Sequence, residues 1–336
     1  MTTNPIAMSL YTALFISRCQ ETFQLLPRQW QVEVGSELIE SHFTNVPIRH
    51  LCVRPTGGGK RSLVFNTVDD VLLGVTICIC PLLSLGADQT KKLISKYHAN
   101  QNAITAFHLD ELSNSAIGKL KRFLQSSAYL NSPTSIVLFA SPQAITTRYY
   151  PFVNWLITRD LICFVVVDEI YLAVHFGNSF RDVSLKLKDV FFKKLKSSIP
   201  MVFMTATCSK FIESNVQEMF GIELNRTHWP SPVEMMHRSV GIHLSYTSRP
   251  FQYVSKTIKK DLAVHPSLPN KVIVYSNRRI RVFNFVEKLE KLLDMDDDFK
   301  KVDILTLVGT LTKEEKAEYI RLFVNGSSKQ NCSLDM

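Results

Sequence analysis

The sequence predicts an α/β fold built on a mostly parallel β-sheet. Short apolar runs recur along the first two thirds of the chain, and longer amphipathic or polar stretches separate them; the five runs are HLCV, VTICIC, SIVLFAS, LICFVVVD and MVFMTAT. Runs of this length without polar alternation are typical of strands covered on both faces by crossover helices. Because the carboxyl ends of parallel strands meet at one edge of a sheet, we expect a ligand site where polar residues close these runs.

The first run, HLCV, leads into the segment RPTGGGKRSLVF, which begins at Arg54. Glycine loops between a strand and a helix hold phosphate groups with backbone N–H groups, in the pattern G-x-x-x-x-G-K-[ST]. Arg54 replaces the first glycine of this pattern, and Arg61 replaces the Ser or Thr that ligates magnesium. Taken alone, the segment is either a phosphate loop or a glycine turn. The phosphate interpretation places Lys60 on the β- and γ-phosphates.

The fourth run, LICFVVVDEIY, ends its apolar part at Asp168 and Glu169, about a hundred residues after the glycine loop. A hydrophobic strand that ends in two acidic residues indicates the Walker B arrangement of nucleotide hydrolysis. In that arrangement Asp168 holds Mg²⁺, and Glu169 orients or deprotonates the attacking water. The alternative is a pair of acidic residues that only cap a strand.

The last third of the chain indicates a junction followed by a second α/β unit. Three prolines and no sustained periodicity place the junction between about Asn225 and Pro250. After it, KVIVYS and DILTLVG predict strands, and RVFNFVEKLEKLLDM and KEEKAEYIRLFVNG predict helices, the second closed by Gly326. Two strand–helix units form a thin sheet with little core of its own.

The composition is that of a folded, weakly basic protein. The chain has 336 residues, 46% hydrophobic and 21% charged, with a formal net charge of +9. This sign suits contact with nucleic acid, but charge alone is equally compatible with any basic soluble protein. No apolar run approaches the roughly 18 residues that span a bilayer, and the N-terminal stretch lacks a basic start and a cleavage site. The seven cysteines form no C-x-x-C pair, so we expect reduced thiols in an intracellular protein, with no disulfides and no zinc site.

The motifs, taken in order, resemble superfamily 2 helicases and, within them, the RecQ-like ATP-dependent DNA helicases, over about residues 20–328. PTGGGK resembles motif I, ICPLLSLGADQ motif Ia, SPQAI motif Ib, DEIY motif II, MTAT motif III and IVYSNRR motif IV. VHFGNSFRDVS is similar to the aromatic-rich loop of RecQ proteins, with Phe176 in the place of a tryptophan. RQWQ resembles the glutamine motif that reads adenine. Gln143, Ile170 and Tyr171 differ from the residues that are usual at these motif positions in the family.

The resemblance implies a RecA-like parallel-sheet P-loop NTPase domain followed by a partial second RecA-like domain, with ATP and Mg²⁺ as cofactors. The expected domains are an N-terminal extension at 1–19, the ATP-binding domain at 20–235 and an incomplete C-terminal helicase domain at 236–336. The implied ATP-binding residues are Gln31, Thr56, Gly57, Gly58, Gly59, Lys60 and Arg61. The implied catalytic residues are Lys60, Asp168 and Glu169, with Asp168 as the Mg²⁺ ligand.

The resemblance also implies residues that couple the nucleotide to DNA. The coupling residues are Thr205, Ala206 and Thr207, and the DNA contacts are Ser84, Ser141, Phe176, Phe180 and Arg181. Ordinary core packing is the alternative for the two aromatic residues. The implied activity is ATP hydrolysis coupled to 3′–5′ translocation on single-stranded DNA and to duplex unwinding, in DNA repair or recombination. The expected partner is DNA, single strands and duplex junctions without regard to sequence, and no membrane; the location is nuclear if the host is eukaryotic.

Two departures from the family pattern concern hydrolysis. Arg61 stands where a hydroxyl is expected, and Ser62 is turned from that position by about 100° on a helix, so we expect weakened hydrolysis with ATP binding retained. Motifs V and VI, with the arginine finger of related NTPases, are absent, so we expect a C-terminally truncated chain. The alternative function is a non-catalytic ATP- and nucleic-acid-binding remnant of such a helicase. A P-loop NTPase of another kind, such as a small-molecule kinase, explains fewer of the motifs.

Overall fold

The computed structural model describes most of the chain, which divides into two compact units, Met1–Ser239 and Val240–Met336. The described residues are 5–24, 26–55, 58–59, 71–81, 83–97, 104–131, 134–172, 177–235, 246–264, 273–275, 279–294, 305–308 and 310–325. Among them, no helix combines the length and the apolar character needed to cross a membrane.

The first unit is built on a seven-stranded sheet in which every pair of neighbouring strands is parallel. The strands are β1 (Arg49–Val53), β2 (Val75–Ile79), β3 (Thr105–His108), β4 (Ile136–Ala140), β5 (Ile162–Val167), β6 (Met201–Thr205) and β7 (Arg226–His228). Their order in the sheet is β3-β4-β2-β5-β6-β1-β7. The five predicted strands are therefore confirmed, and the two edge strands, β3 and β7, were not predicted.

Helices connect these strands. They are α1 (Pro5–Phe23), α2 (Gln29–Thr44), α3 (Leu83–Tyr97), α4 (Asn114–Leu124), α5 (Ser127–Asn131), α6 (Pro142–Thr146), α7 (Tyr150–Thr158), α8 (Gly177–Val190), α9 (Lys210–Phe220) and α10 (Pro232–Met235), with 3₁₀ turns at Leu109–Glu111 and Phe192–Lys194. Serine hydroxyls cap the start of α4, α6 and α9 by accepting a backbone N–H from the first turn. Asn45 and Gly221 end α2 and α9 in the left-handed conformation that such caps favour.

The core forms two layers, one on each face of the sheet, because successive side chains of a strand point to opposite faces. In β2, Val75, Ile77 and Ile79 pack on one face, against α4 and α6–α9, whereas Cys78 packs on the other, against α1–α3. The central strands are apolar on both faces and buried throughout, as the run pattern predicts. No disulfide links the six cysteines that the structure describes.

Helix α1 packs closely against α2. Its Phe15 ring is fully buried and lies over Gly35, where an added Cβ would overlap the ring. Gly35 therefore allows the two helices to approach each other at this contact. Helix α1 crosses the expected boundary between residues 19 and 20, and Phe15 and Cys19 belong to the core layer that α2 forms with the sheet.

The second unit is described mainly as three helices, α11 (Pro250–Val264), α12 (Arg279–Asp294) and α13 (Lys313–Asn325). Helices α12 and α13 match the two helices predicted there, and Phe251 of α11 meets Phe285 of α12 with ring centroids 5.1 Å apart. The predicted strands KVIVYS and DILTLVG are described only at 273–275 and 305–308, and these residues are not in strands. The side chains at 273–275 are exposed, that of Tyr275 at 88%, and Leu307 is exposed as well, so these residues lack the burial that favours a strand.

Candidate functional site

The candidate site lies where the carboxyl ends of β1, β5 and β6 meet. Backbone hydrogen bonds join these ends directly: the Arg54 N–H donates to the Thr205 carbonyl, and the Ile170 N–H donates to the Met204 carbonyl. The Asp168 N–H donates to the carbonyl of Ile79 at the end of β2. The sheet thus brings the glycine loop, the DEIY segment and the MTAT segment to one edge, although more than a hundred residues separate the first from the other two.

Asp168 follows β5 directly and is 2% exposed. Its Oδ1 accepts the backbone N–H of Glu169 at 2.9 Å, and its Oδ2 accepts the side-chain amide of Gln89 at 3.3 Å. Gln89 comes from α3, is 3% exposed, and its amide oxygen accepts a weak contact from the thiol of Cys80 at 3.7 Å. These donors hold the carboxylate in one orientation at the sheet edge.

Gln89 was not among the predicted site residues. It lies in the segment ICPLLSLGADQ, which resembles motif Ia, but no feature of that segment assigns this glutamine a role. From the sequence alone, a polar residue on an amphipathic helix is expected on the face exposed to solvent. Only the packing of α3 beside the end of β5 shows that its amide reaches Asp168.

Glu169 has a φ of 48°, in the left-handed region that few residues other than glycine adopt. Strained backbone of this kind costs roughly 1–3 kcal/mol and is concentrated at functional sites. The turn directs the chain away from β5 immediately after Asp168. Burial raises the pKa of nearby Tyr171, and the charges of Glu169 and Asp168 raise it further.

The described part of the glycine loop, Gly58 and Gly59, is held by side chains from the start of α2. The guanidinium of Arg28 donates to the Gly58 carbonyl at 3.0 Å, and the Gln31 amide donates to the Gly59 carbonyl at 2.8 Å. A Cβ at Gly58 would lie 2.8 Å from the Pro55 carbonyl oxygen, and Gly59 has a φ of 83°. Both positions therefore require glycine.

Gln31 lies beside the loop and is 6% exposed. Its amide oxygen accepts the backbone N–H of Arg28 at 2.8 Å while its amide nitrogen bonds Gly59. In this structure Gln31 thus orders the loop. Contact with an adenine base stays a prediction.

Arg54, which departs from the loop pattern, points into the protein. Its guanidinium lies 4.7 Å from the centroid of the Trp30 ring and 3.2 Å from a carboxylate oxygen of Glu234. The side chain is 7% exposed, whereas that of Glu234 is 52% exposed. Arg54 therefore links the end of β1 to α2 and α10.

The residues predicted to couple the nucleotide to DNA lie at the end of β6 and directly after it. Thr205 is fully buried, and its hydroxyl donates to the Thr207 carbonyl at 2.8 Å and accepts the Thr207 N–H at 3.2 Å. Ala206 lies at the bend between them and is half-buried. The two threonines therefore form a compact turn beside the end of β1.

Ser141 is the one expected DNA contact whose side chain the structure describes. Its backbone N–H and its hydroxyl both donate to Asp110, at 2.8 Å and 2.5 Å, and its hydroxyl also accepts the Ala144 N–H. The residue is 3% exposed. Its donors therefore serve the protein's own loop, and a phosphate contact from Ser141 stays a prediction.

Other predicted site residues lie outside the described residues or have side chains that are not described. The former are Thr56, Gly57, Lys60, Arg61 and Phe176, and the latter are Ser84 in α3 and Phe180 and Arg181 in α8.

Comparisons with known proteins agree with this architecture. No family model matches the chain. It is 26% identical to the rat ATP-dependent DNA helicase Q5 over 163 residues, which cover 48% of this chain and 16% of that protein. It is 30% identical to the Xenopus laevis RecQ-like DNA helicase BLM over 168 residues, 48% of this chain and 11% of that protein. With the Bacillus subtilis helicase RecQ it shares 26% identity over 177 residues, 52% of this chain and 27% of that protein.

Solved helicase structures resemble the fold over most of this chain. The helicase MrfA bound to DNA matches with a TM-score of 0.60 at 15% identity, over 96% of this chain and 43% of that one. Saccharomyces cerevisiae Dbp5, bound to RNA and ADP with beryllium fluoride, matches with a TM-score of 0.58 at 14% identity, over 94% of this chain and 71% of that one. The matched regions span about a quarter or less of the curated relatives.

Proposed function

We propose that this protein is an ATP-dependent DNA helicase. The proposal rests on its similarity to RecQ-family helicases over about half of the chain and on the RecA-like fold that it shares with superfamily 2 helicases. In this proposal ATP hydrolysis drives 3′–5′ movement along single-stranded DNA and the opening of duplex junctions. A role in DNA repair or recombination, and a nuclear location in a eukaryotic host, belong to the same proposal and rest on the resemblance.

The arrangement of Asp168 carries this proposal. A carboxylate that is 2% exposed, fixed by two donors, stands at the sheet edge where the loop after β1 and the turn after β6 also end. Burying a carboxylate is costly unless hydrogen bonds or a cation compensate for the lost water. Carboxylate oxygens are ligands that Mg²⁺ prefers beside phosphates. Asp168 thus has the chemistry of a nucleotide-associated Mg²⁺ ligand.

The other residues have roles that follow from their positions. We assign the loop 56–60 and Lys60 to the phosphates, Glu169 to the attacking water and Gln31 to the base. Asp168 would hold a Mg²⁺ ion, which would neutralise charge at the transferred phosphate. Arg28 and Gln31 hold the loop carbonyls, and the Thr205–Thr207 turn passes a displacement of the loop to the DNA side of the sheet. Ser84, Ser141, Phe176, Phe180 and Arg181 are the proposed DNA contacts.

ATPase measurements on the full chain, with and without single-stranded DNA, test this function. We expect DNA to stimulate hydrolysis, and Asp168→Asn to reduce it at least about a hundredfold while a fluorescent ATP analogue still binds. The matched control is Asp160→Asn, an exposed aspartate in the turn before β5. Equal loss in both variants, or hydrolysis that persists in Asp168→Asn, would contradict the assignment of Asp168.

A second candidate is a non-catalytic ATP- and nucleic-acid-binding protein, which the replacement of the loop hydroxyl by Arg61 favours. The same measurements separate the two functions. Saturable binding of ATP and DNA without turnover supports this second function, and DNA-stimulated turnover excludes it.

A further inference from the structure

A cluster of side chains that could ligate a metal ion lies in the first unit and includes none of the residues assigned to the candidate nucleotide site. It joins three elements: Glu37 from α2, His50 from β1 and His228 from β7, and one potential ligand atom from each lies within 4.8 Å of the others. His50 Nε2 is 3.3 Å from Glu37 Oε2, and the two imidazole rings have centroids 5.1 Å apart. Ligand atoms around a tetrahedral Zn²⁺ lie roughly 3.4 Å apart, given bonds of about 2.1 Å, so small side-chain rotations suffice.

Four polar atoms of the cluster have no hydrogen-bond partner among the described residues. Glu37 Oε2, both ring nitrogens of His50 and His228 Nε2 are buried without a hydrogen-bond partner within the described part of the protein. Native proteins rarely leave such groups unsatisfied, since each one costs about 1–3 kcal/mol. The three residues each direct one potential ligand atom to the same place, all within 4.8 Å of one another. A cation that accepts their lone pairs would satisfy one oxygen and two nitrogens together.

The surroundings of the two imidazoles disfavour the cationic form. Burial, then the neighbouring charges of His228 and Arg226, lower the pKa of His50 to about 3. Burial also lowers the pKa of His228.

One cation already approaches the cluster. The Arg226 Nε lies 3.6 Å from Glu37 Oε2, but this arginine side chain is 60% exposed, whereas Glu37 is 29% exposed. Exposed ion pairs of this kind contribute little, and Arg226 can turn outward to solvent. Glu33 and Glu40 lie one turn from Glu37 on the same helix and also act on its charge.

We propose that Glu37, His50 and His228 form a Zn²⁺ site that fastens the edge strand β7 to α2 and β1. Two imidazoles and one carboxylate suit Zn²⁺ and disfavour Ca²⁺ and Mg²⁺, which take oxygen ligands. A water molecule can complete the tetrahedron from the partly exposed side. The role is structural: β7 has only three residues and pairs only with β1 among the described strands, so a shared metal ion would strengthen its attachment to α2 and β1.

Zinc titration of the metal-free full chain tests the proposal. We expect one Zn²⁺ to bind with micromolar or tighter affinity and to raise the melting temperature, as a ligand of the native state does. Glu37→Gln and His228→Ala should each weaken Zn²⁺ binding at least about tenfold. Glu40→Gln, one turn along α2, is the matched control and should bind as the parent does. His50 is left intact because its full burial makes its variants prone to misfold.

Cobalt substitution identifies the ligands independently of the variants. A Co²⁺ complex of nitrogen and oxygen ligands has tetrahedral visible bands without a thiolate charge-transfer band, and this is the expected spectrum. A thiolate band, undiminished Zn²⁺ affinity in folded Glu37→Gln and His228→Ala, or no binding by the parent chain would each overturn the proposal. Far-ultraviolet circular dichroism establishes that each variant is folded, and either variant alone suffices for the comparison.

Discussion

Replacement of Gln89 by leucine tests whether α3 orients the carboxylate at the centre of the candidate site. Leucine has nearly the volume of glutamine, so the change removes the amide donor and little packing. A hydrogen bond to a charged group contributes about 1.5–3 kcal/mol, and the 3.3 Å separation of Gln89 Nε2 from Asp168 Oδ2 favours the low end. At about 1.4 kcal/mol per factor of ten, the expected fall in DNA-stimulated ATP turnover is roughly tenfold.

The Mg²⁺ dependence distinguishes orientation from a general loss of structure. A misoriented Asp168 should raise the Mg²⁺ concentration needed for half-maximal turnover, and for half-maximal binding of a fluorescent ATP analogue. Lys91→Ala, an exposed change two residues along the same helix, should leave both values as in the parent. If Gln89→Leu lowers the melting temperature while turnover and Mg²⁺ dependence stay unchanged, Gln89 packs the helix and does not orient Asp168.

Three further changes have definite expected results. Gly35→Ala forces a methyl group into the Phe15 ring and should lower the free energy of unfolding by about 1–3 kcal/mol, measured by urea denaturation. Arg54→Lys keeps the charge but loses the planar contact with Trp30, and should destabilise by about 1 kcal/mol; a stability equal to that of the parent would show that the ring contact contributes nothing. Arg61→Ser supplies the expected hydroxyl and should raise DNA-stimulated turnover with little change in ATP affinity; unchanged turnover would argue against a metal-site defect at this position.

The central strands could be predicted from the sequence because their own residues specify them. In β4 and β6 every position is buried, and the apolar runs record that burial directly. The edge strands could not be predicted in the same way. The segment RTH of β7 has no apolar residue and forms a strand because β1 offers it a hydrogen-bonding partner. It lies within the stretch that the proline content marked as a junction.

The residues of the candidate site also differ in whether the local sequence could predict them. Asp168 was predicted because it ends an apolar run, and the structure describes it at the sheet edge. Gln89, Arg28 and the cluster of Glu37, His50 and His228 were missed because their partners are distant in sequence and no spacing rule connects them. A search for cysteine pairs does not detect a histidine and carboxylate set that three separate elements assemble.

The hydrogen bonds that Arg28 and Gln31 donate to the glycine loop determine which way two of its carbonyl dipoles point. In a trans peptide the C=O and the following N–H point in opposite directions. Since the Gly58 carbonyl is turned toward Arg28, the N–H of Gly59 points away from it. Carbonyl oxygens repel anions and N–H groups attract them. By binding the carbonyls of Gly58 and Gly59, Arg28 and Gln31 orient this part of the loop in advance, with the anion-attracting N–H of Gly59 facing away from Arg28.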